Sequence, residues 1–358
     1  MARVTAVSGL GAKGPACFLV ETGQARLLLD LGYGPQPGLW PNVDGIGRVD
    51  ALLLSHAHRD HAGALKLAPQ VGDPPLYATA SVLSALGRQG SGTSLPLCGA
   101  AEICGVTVRT GRNGHAPGGV WLHLDIGGGL LYMGDHGVES PVYAFDAPPA
   151  AATVILDASY GSYDSSLDDC ARALEPVFER GLALLPVPSN GRGPELVYHL
   201  ATALGTLPHL GADLRAALLR IASADEASLR AGVTEELARI AREAPPIAGC
   251  QGLMFTGYAD ATEGESARLV AQWEGEPRPE IVFTGYVPSG TPAQRLTDSG
   301  RARYVRWNAH PRLRDNVALA RSVGARTVLP AFGDARHLDA WREAFAPAQV
   351  LVQGEAAI

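Results

Sequence analysis

Residues 52–65 read LLLSHAHRDHAGAL. Leu52–Leu54 is an apolar run of the kind that forms a buried strand, and His56, His58, Asp60 and His61 follow at its end. In extended chain, residues two apart point the same way, so His56 and His58 face one position together. Asp60 and His61 open the next turn and face a position beside it. Neutral imidazole and carboxylate are ligands for zinc-like ions. The chain has ten histidines in 358 residues, so three of them with an aspartate inside six positions reads as a metal cluster rather than a solvated strand end.

The rest of the chain sets bounds on that reading. Hydrophobic residues make up 46% and charged ones 18%, the composition of a folded protein. The net charge of −7 means that a nucleic-acid partner needs a local basic patch. Cys17, Cys98, Cys104, Cys170 and Cys250 are odd in number, scattered, and form no CxxC. That pattern predicts reduced thiols in a cytoplasm rather than a disulfide framework. The N-terminal stretch lacks a signal-peptide core and no apolar run is long enough to span a bilayer, so the expectation is a soluble protein with no membrane partner. Strand patterns dominate the first part, with a helix predicted from Asp60 through LKLA. From SSLDDCARALEPVFERG onward, helical patterns alternate with short strands at LALLPV, GLMFTG and EIVFTG, which predicts a parallel sheet flanked by helices.

Three further segments extend the cluster. DLGYG places Asp30 after the early strands, GHAPGG places His115 on a glycine-flanked turn, and LLYMGDHG places Asp135 at a strand end. With HxHxDH they resemble the metallo-β-lactamase superfamily in order and spacing. The resemblance implies an αββα sandwich. It also implies a first metal position of His56, His58 and His115, a second of Asp60 and His61, and Asp135 bridging the two. Paired cations lower the pKa of a shared water to yield hydroxide near neutral pH and stabilise charge on a transferring phosphoryl or acyl group. The histidines need partners that orient their second ring nitrogens, and Asp30 is the best candidate.

Later segments resemble the β-CASP nuclease branch, which includes ribonuclease J and the cleavage-and-polyadenylation nuclease. They are VILDASYG with Asp157, the stretch around Gly191, Arg192 and Glu195, the stretch from Gly285 and Tyr286 to Gly290 and Thr291, and WNAHPRLRDN with His310. The resemblance implies an α/β (α+β) fold in which a short β-CASP-like domain, residues 176–299, is inserted into a metallo-β-lactamase domain of residues 1–175 and 300–358. Asp60, His310 and Asp157 are the catalytic candidates, with His310 as general acid or phosphate contact oriented by Asp157. Arg192, Thr291 and Arg312 are the candidate substrate contacts. Seven arginines against one aspartate between Arg301 and Arg326 form a segment able to hold phosphates, and Tyr304 and Trp307 are interleaved for stacking on bases.

One motif departs from the family. Where its last metal motif carries histidine, TVLPAFGDARHL places Phe332. Phenylalanine cannot ligate, so the expectation is Zn2+ held firmly in the first position and less firmly in the second, where water fills the gap, with Mn2+ as an alternative ion; the other outcomes are His337 as a replacement ligand, or an empty second position that leaves the enzyme mononuclear or inactive. The resulting reading is a metal-dependent hydrolase, a phosphodiesterase or ribonuclease cleaving RNA or single-stranded nucleic acid, with a homodimer as one assembly. The alternatives are a small-molecule ester or lactone hydrolase and a non-catalytic nucleic-acid-binding paralogue.

Overall fold

The computed structural model describes residues 2–358. The chain divides into two compact units. One holds the chain up to Val138, Ala144–Asp164 and His310–Ile358, and the other holds Glu139–Tyr143 and Ser165–Ala309.

The first unit is built on two seven-stranded sheets. Its strands alternate faces, as the two-residue period of a strand requires. Phe18 and Val20 join Val120, Leu122, Tyr132 and Leu329 in one core, while Cys17 and Leu19 pack with Val43 and Val82 on the outer side of the first sheet. In the second sheet Leu130 and Ile155 face the shared core, and Leu131, Val154 and Val328 face Leu319, Trp341 and Phe345 of two covering helices. Both faces of each sheet are therefore covered, which is the αββα layering and the reason these strands read as continuous apolar runs. In the second sheet Leu130–Tyr132, Thr153–Asp157 and Thr327–Ala331 run parallel as neighbours. Their C-terminal ends lie along one edge of the sheet. Asp135, Asp157 and Phe332 are delivered there.

The helix expected from Asp60 is broken in two. A single turn covers Arg59–Ala62 and a 3-10 segment covers Leu65–Val71. Pro69 inside the second piece has no N–H to extend an α-helix.

The second unit carries a five-stranded sheet whose paired neighbours are all parallel. In Ala183–Pro186, Leu185 packs with one core and Leu184 with another, so both faces are buried. The unit begins earlier than residue 176. The helix Leu167–Arg180 is opened by Ser166, whose Oγ accepts from Asp169 N at 3.1 Å, and it buries Leu167, Leu174 and Val177 in this unit's own core. Val142 and Tyr143 join the same core. The unit also runs past residue 299, through the strand Ala302–Tyr304, which pairs with Glu280–Phe283, and on to Ala309. Among the described residues no helix is long and apolar enough to cross a membrane, and all five cysteines are free.

Candidate metal centre

Asp30 anchors the site. It follows the strand Arg26–Leu29 at φ +58°, a backbone state that a short polar side chain tolerates, and it is fully buried. Its Oδ1 accepts from Ser55 N at 2.7 Å, and its Oδ2 accepts from Ser55 Oγ at 2.7 Å, from His61 Nδ1 at 2.7 Å and from the Tyr132 hydroxyl. Since Ser55 gives its hydroxyl proton to Asp30, its lone pair is left for His56 Nδ1, 3.0 Å away. Both His56 and His61 therefore carry a proton on Nδ1 and turn Nε2 to the centre, the orientation a metal ligand needs. Gly134 makes room for this network, because a Cβ there would lie 2.6 Å from Ser55 Oγ.

The donor atoms converge. Ligand atoms of His56, His58, His115 and Asp135 all lie within 4.8 Å of one another. His58 Nδ1 is 3.0 Å from His115 Nε2, and Asp135 Oδ2 is 3.6 Å from His115 Nε2 and 3.9 Å from His56 Nε2. An ion with tetrahedral bonds of about 2.0–2.1 Å sets its ligand atoms roughly 3.4 Å apart, so the spacing fits one divalent cation. His56 Nε2 is also buried with no hydrogen-bond partner, a cost that a cation removes. Asp60, His61 and Asp135 form a second group. Within it His61 Nε2 and Asp135 Oδ1 approach to 3.1 Å without the alignment of a hydrogen bond.

The electrostatics suit cation binding. Burial, reinforced by the neighbouring imidazoles, pushes His56 well below its usual value and keeps it neutral. Burial opposes ionisation of Asp135, but His61 and His310 outweigh it and hold the carboxyl well down. His61 differs: burial opposes its charge, but Asp135 and Asp30 hold its pKa well up, so without an ion its Nε2 also keeps a proton, which a cation at the second position would have to displace.

A third group joins Asp135, Asp157 and His310. His310 Nδ1 lies 2.7 Å from Asp157 Oδ2 and 3.7 Å from Asp135 Oδ2. Asp157 is fixed in turn. Ser159 N donates to its Oδ1 at 3.0 Å, and Asn316 Nδ2 donates to its backbone carbonyl at 2.7 Å. The His310 ring stands 5.0 Å from the His115 ring.

Other candidates have different partners. His337 lies outside these groups, with Nδ1 3.1 Å from Ser162 Oγ and its ring 5.9 Å from Trp341. Thr291 caps the helix Pro292–Asp298 instead of presenting a free hydroxyl: it accepts from Gln294 N and donates to Pro288 O at 2.7 Å. Arg312 pairs with Asp315 through two contacts of 2.8 and 2.9 Å. Arg192 packs on Gly285, where a Cβ would collide with its guanidinium. Trp307 is core, 1% exposed, and donates to Glu195 Oε2 at 2.9 Å, whereas Tyr304 is exposed. The arginine run is largely spoken for. Arg301 donates to the Glu274 carbonyl, Arg303 to Glu280 and Arg314 to Asp164.

Sequence reasoning missed four residues. Ser55 and Tyr132 stand beside motif positions and looked like ordinary strand residues. His136 follows Asp135, and burial pushes it down to about 4. Lys13 sits in the glycine-rich turn GLGAKG, its Nζ 3.9 Å from Asp60 Oδ2 and donating to Ser159 Oγ at 3.0 Å. Burial opposes its charge, but Asp135, Asp60 and Asp157 more than compensate and its pKa is raised.

Residues 10–177 match the metallo-beta-lactamase superfamily. Over 260 residues, 58% of the chain and 41% of the relative, the sequence is 28% identical to the transcription termination factor FttA of Methanosarcina mazei. Over 353 residues, 80% of the chain and 46% of the relative, it is 23% identical to the endoribonuclease ysh1 of Schizosaccharomyces pombe. The chain thus spans less than half the length of either. A crystal structure of a protein of unknown function from Enterococcus faecalis V583 superposes with a TM-score of 0.61 at 14% identity, covering 100% of both chains, and shares the fold. The chain carries a metallo-β-lactamase domain, and its relatives are consistent with the β-CASP branch.

Proposed function

We propose that this chain is a metal-dependent phosphodiesterase acting on RNA or single-stranded nucleic acid. The observation that carries the reading is the convergence of His56, His58, His115 and Asp135 on one position, with the His310–Asp157 pair beside it. Those four residues would hold the ion, zinc by donor type and spacing, with manganese the alternative. A divalent ion there supplies Lewis acidity toward water and a phosphoryl oxygen. The chain's own residues do the rest. Asp157 takes the Nδ1 proton contact of His310, which leaves Nε2 to pass a proton to the leaving oxygen. Asp60, partly exposed at the same edge, accepts a hydrogen bond from the attacking water and orients it. RNA as partner is supported by the names of the relatives, a termination factor and an endoribonuclease.

Zinc-loaded protein should shorten a labelled single-stranded RNA, and His58→Ala should not. Wild-type protein of full metal content that leaves RNA and DNA intact overturns the reading. A second reading, a small ester or lactone hydrolase, is favoured by the internal pairing of Arg301, Arg303, Arg312 and Arg314, which removes four of the seven arginines that would bind phosphates. Turnover of an acyl substrate that an oligonucleotide does not inhibit selects it.

A further inference from the structure

The second metal position differs from the first in two ways that are joined in space. Phe332 stands where a ligand would complete the group of Asp60, His61 and Asp135, at φ +62° and with its ring 5.0 Å from the His61 ring. Lys13 lies close to both that ring and Asp60. Its Nζ is 3.9 Å from Asp60 Oδ2, 3.0 Å from Ser159 Oγ and 5.6 Å from the centre of the Phe332 ring. The two turns are locked together: Phe332 N donates to Gly9 O at 2.7 Å, Ala335 N donates to Gly11 O at 2.9 Å, and Leu10 bridges to Ala331. A side chain at Gly9 would crowd both Phe18 and Phe332. The lysine is thus held by a rigid pair of turns, with its side chain only 18% exposed. Its identity is informative. Of the 29 basic residues only Lys13 and Lys66 are lysine, and a lysine brings a compact point charge on a flexible stem where arginine brings a broad planar fork.

We propose that the Lys13 ammonium replaces the second metal ion, so that the centre binds one divalent cation and takes its second positive charge from the protein. Phe332 removes a ligand and packs its ring against His61. Lys13 neutralises Asp60 and repels a second cation a few ångströms away. An aromatic face also favours an ammonium close by, so the ring and the ammonium support each other. The charge that a second metal would direct at a substrate oxygen is then delivered by a group with three hydrogen-bond donors, one of them engaged by Ser159. The ligand class is a tetrahedral oxyanion. The identification of that oxyanion as a phosphodiester rests on the reading of the previous section, but the metal count does not.

The test measures bound zinc per chain after dialysis, by elemental analysis, on wild type, Lys13→Met, Phe332→His and the double variant, each checked for a native circular dichroism spectrum. Wild type should hold one ion. Phe332→His should stay below two while Lys13 remains, and the double variant should reach two. In parallel, zinc-loaded wild type, Lys13→Met and Lys13→Arg are titrated with inorganic phosphate. Lys13→Met should weaken binding by about tenfold, and Lys13→Arg should retain most of it. Two ions on the wild type, two on Phe332→His alone, one on a folded double variant, or unchanged phosphate binding in Lys13→Met each overturn the proposal. None of these readouts requires cleavage of RNA, so an inactive wild type that holds one ion would defeat the nuclease reading and leave this one standing.

Discussion

The two halves of the candidate metal centre draw on the same segment after the strand Ala51–Leu53 and share Asp135, yet they are built differently. The half made by His56, His58 and His115 is a set of imidazoles closed around one carboxylate, with His56 aimed through Ser55 and Asp30. The half made by Asp60 and His61 shares that support, since Asp30 also holds His61. Its far wall, however, is a phenyl ring and an ammonium group. The buried orienting residues serve both halves equally. What differs is what the turn after the strand Thr327–Ala331 and the turn that carries Lys13 contribute. The HxHxDH motif therefore bears on the first position and says little about the second, whose character is decided by Phe332 and Lys13, both outside it.

The largest effect should follow from breaking the intact half. His58→Ala removes one of four converging donors, and zinc affinity measured by chelator competition should fall on the order of a hundredfold or more, beyond what loss of an outer orienting partner produces. A drop no larger than that of His61→Ala would erase the distinction between the halves. Asp30→Asn comes next. The amide keeps the shape, but it cannot accept from Ser55, His61 and Tyr132 together, so both histidines lose their fixed tautomer. Zinc affinity should fall about 10–100-fold. The chain should also unfold more easily by about 1–3 kcal/mol, because a buried donor is left unpaired. Denaturant titration of metal-free protein reads that second effect separately.

Much of the first half was legible in the sequence because its residues are clustered or sit in short glycine-flanked turns that end apolar runs. His56, His58, Asp60 and His61 are local, and Asp30, His115 and Asp135 each follow a strand pattern. The αββα layering was legible for the same reason, since strand runs covered on both faces are apolar throughout. Lys13 was not legible. One lysine in a loop has no periodicity, and only the pairing of Leu10 with Ala331 brings it to Phe332. The arginine run misled because sequence shows a charge but not its partner. Arg303 and Glu280, or Arg314 and Asp164, are far apart along the chain and meet only after folding. Trp307 looked like a stacking ring because its strand ends among arginines, whereas its indole N–H satisfies the buried Glu195. The insert boundary moved because the helix Leu167–Arg180 puts its apolar face into the second unit, a choice that an amphipathic pattern leaves open.

A smaller effect concerns His310, which approaches the shared carboxylate from outside both halves. Burial alone would raise Asp157, but His310 beside it holds the carboxyl below its usual range. A depressed carboxylate stabilises the fold above its unfolded value, about 4, and that stability is lost as the pH falls through its lower folded value. Metal-free wild type should therefore keep its melting temperature down to about pH 4 and lose it steeply below. His310→Gln should be less stable at neutral pH by roughly 2 kcal/mol, the net worth of a hydrogen bond to a charged group, and the gap should close in acid. A gap that persists unchanged at acidic pH would mean that the loss is one of packing rather than charge.

The smallest effect on metal retention should come from Asp60→Asn, and it bears most directly on the contrast between the halves. Asp60 belongs to the group with His61 and Asp135 and not to the group that would hold the first ion. Its nearest cation is Lys13, 3.9 Å away, with both side chains less than a fifth exposed, so exchanging the carboxylate for a neutral amide that still offers an acceptor should cost about 1–3 kcal/mol of stability. Its backbone is held independently, because the Asp60 carbonyl accepts from Ala16 N at 2.8 Å and sits so close to Gly32 that no side chain fits between them. The asparagine should therefore keep the fold and hold the single zinc within about threefold of wild-type affinity, a difference of under 1 kcal/mol. Turnover should nevertheless fall if the carboxylate orients water. That split, retained metal with reduced cleavage, is expected only where the second half works through protein charge. In a two-ion centre the same change would remove a ligand, and the metal count itself would drop.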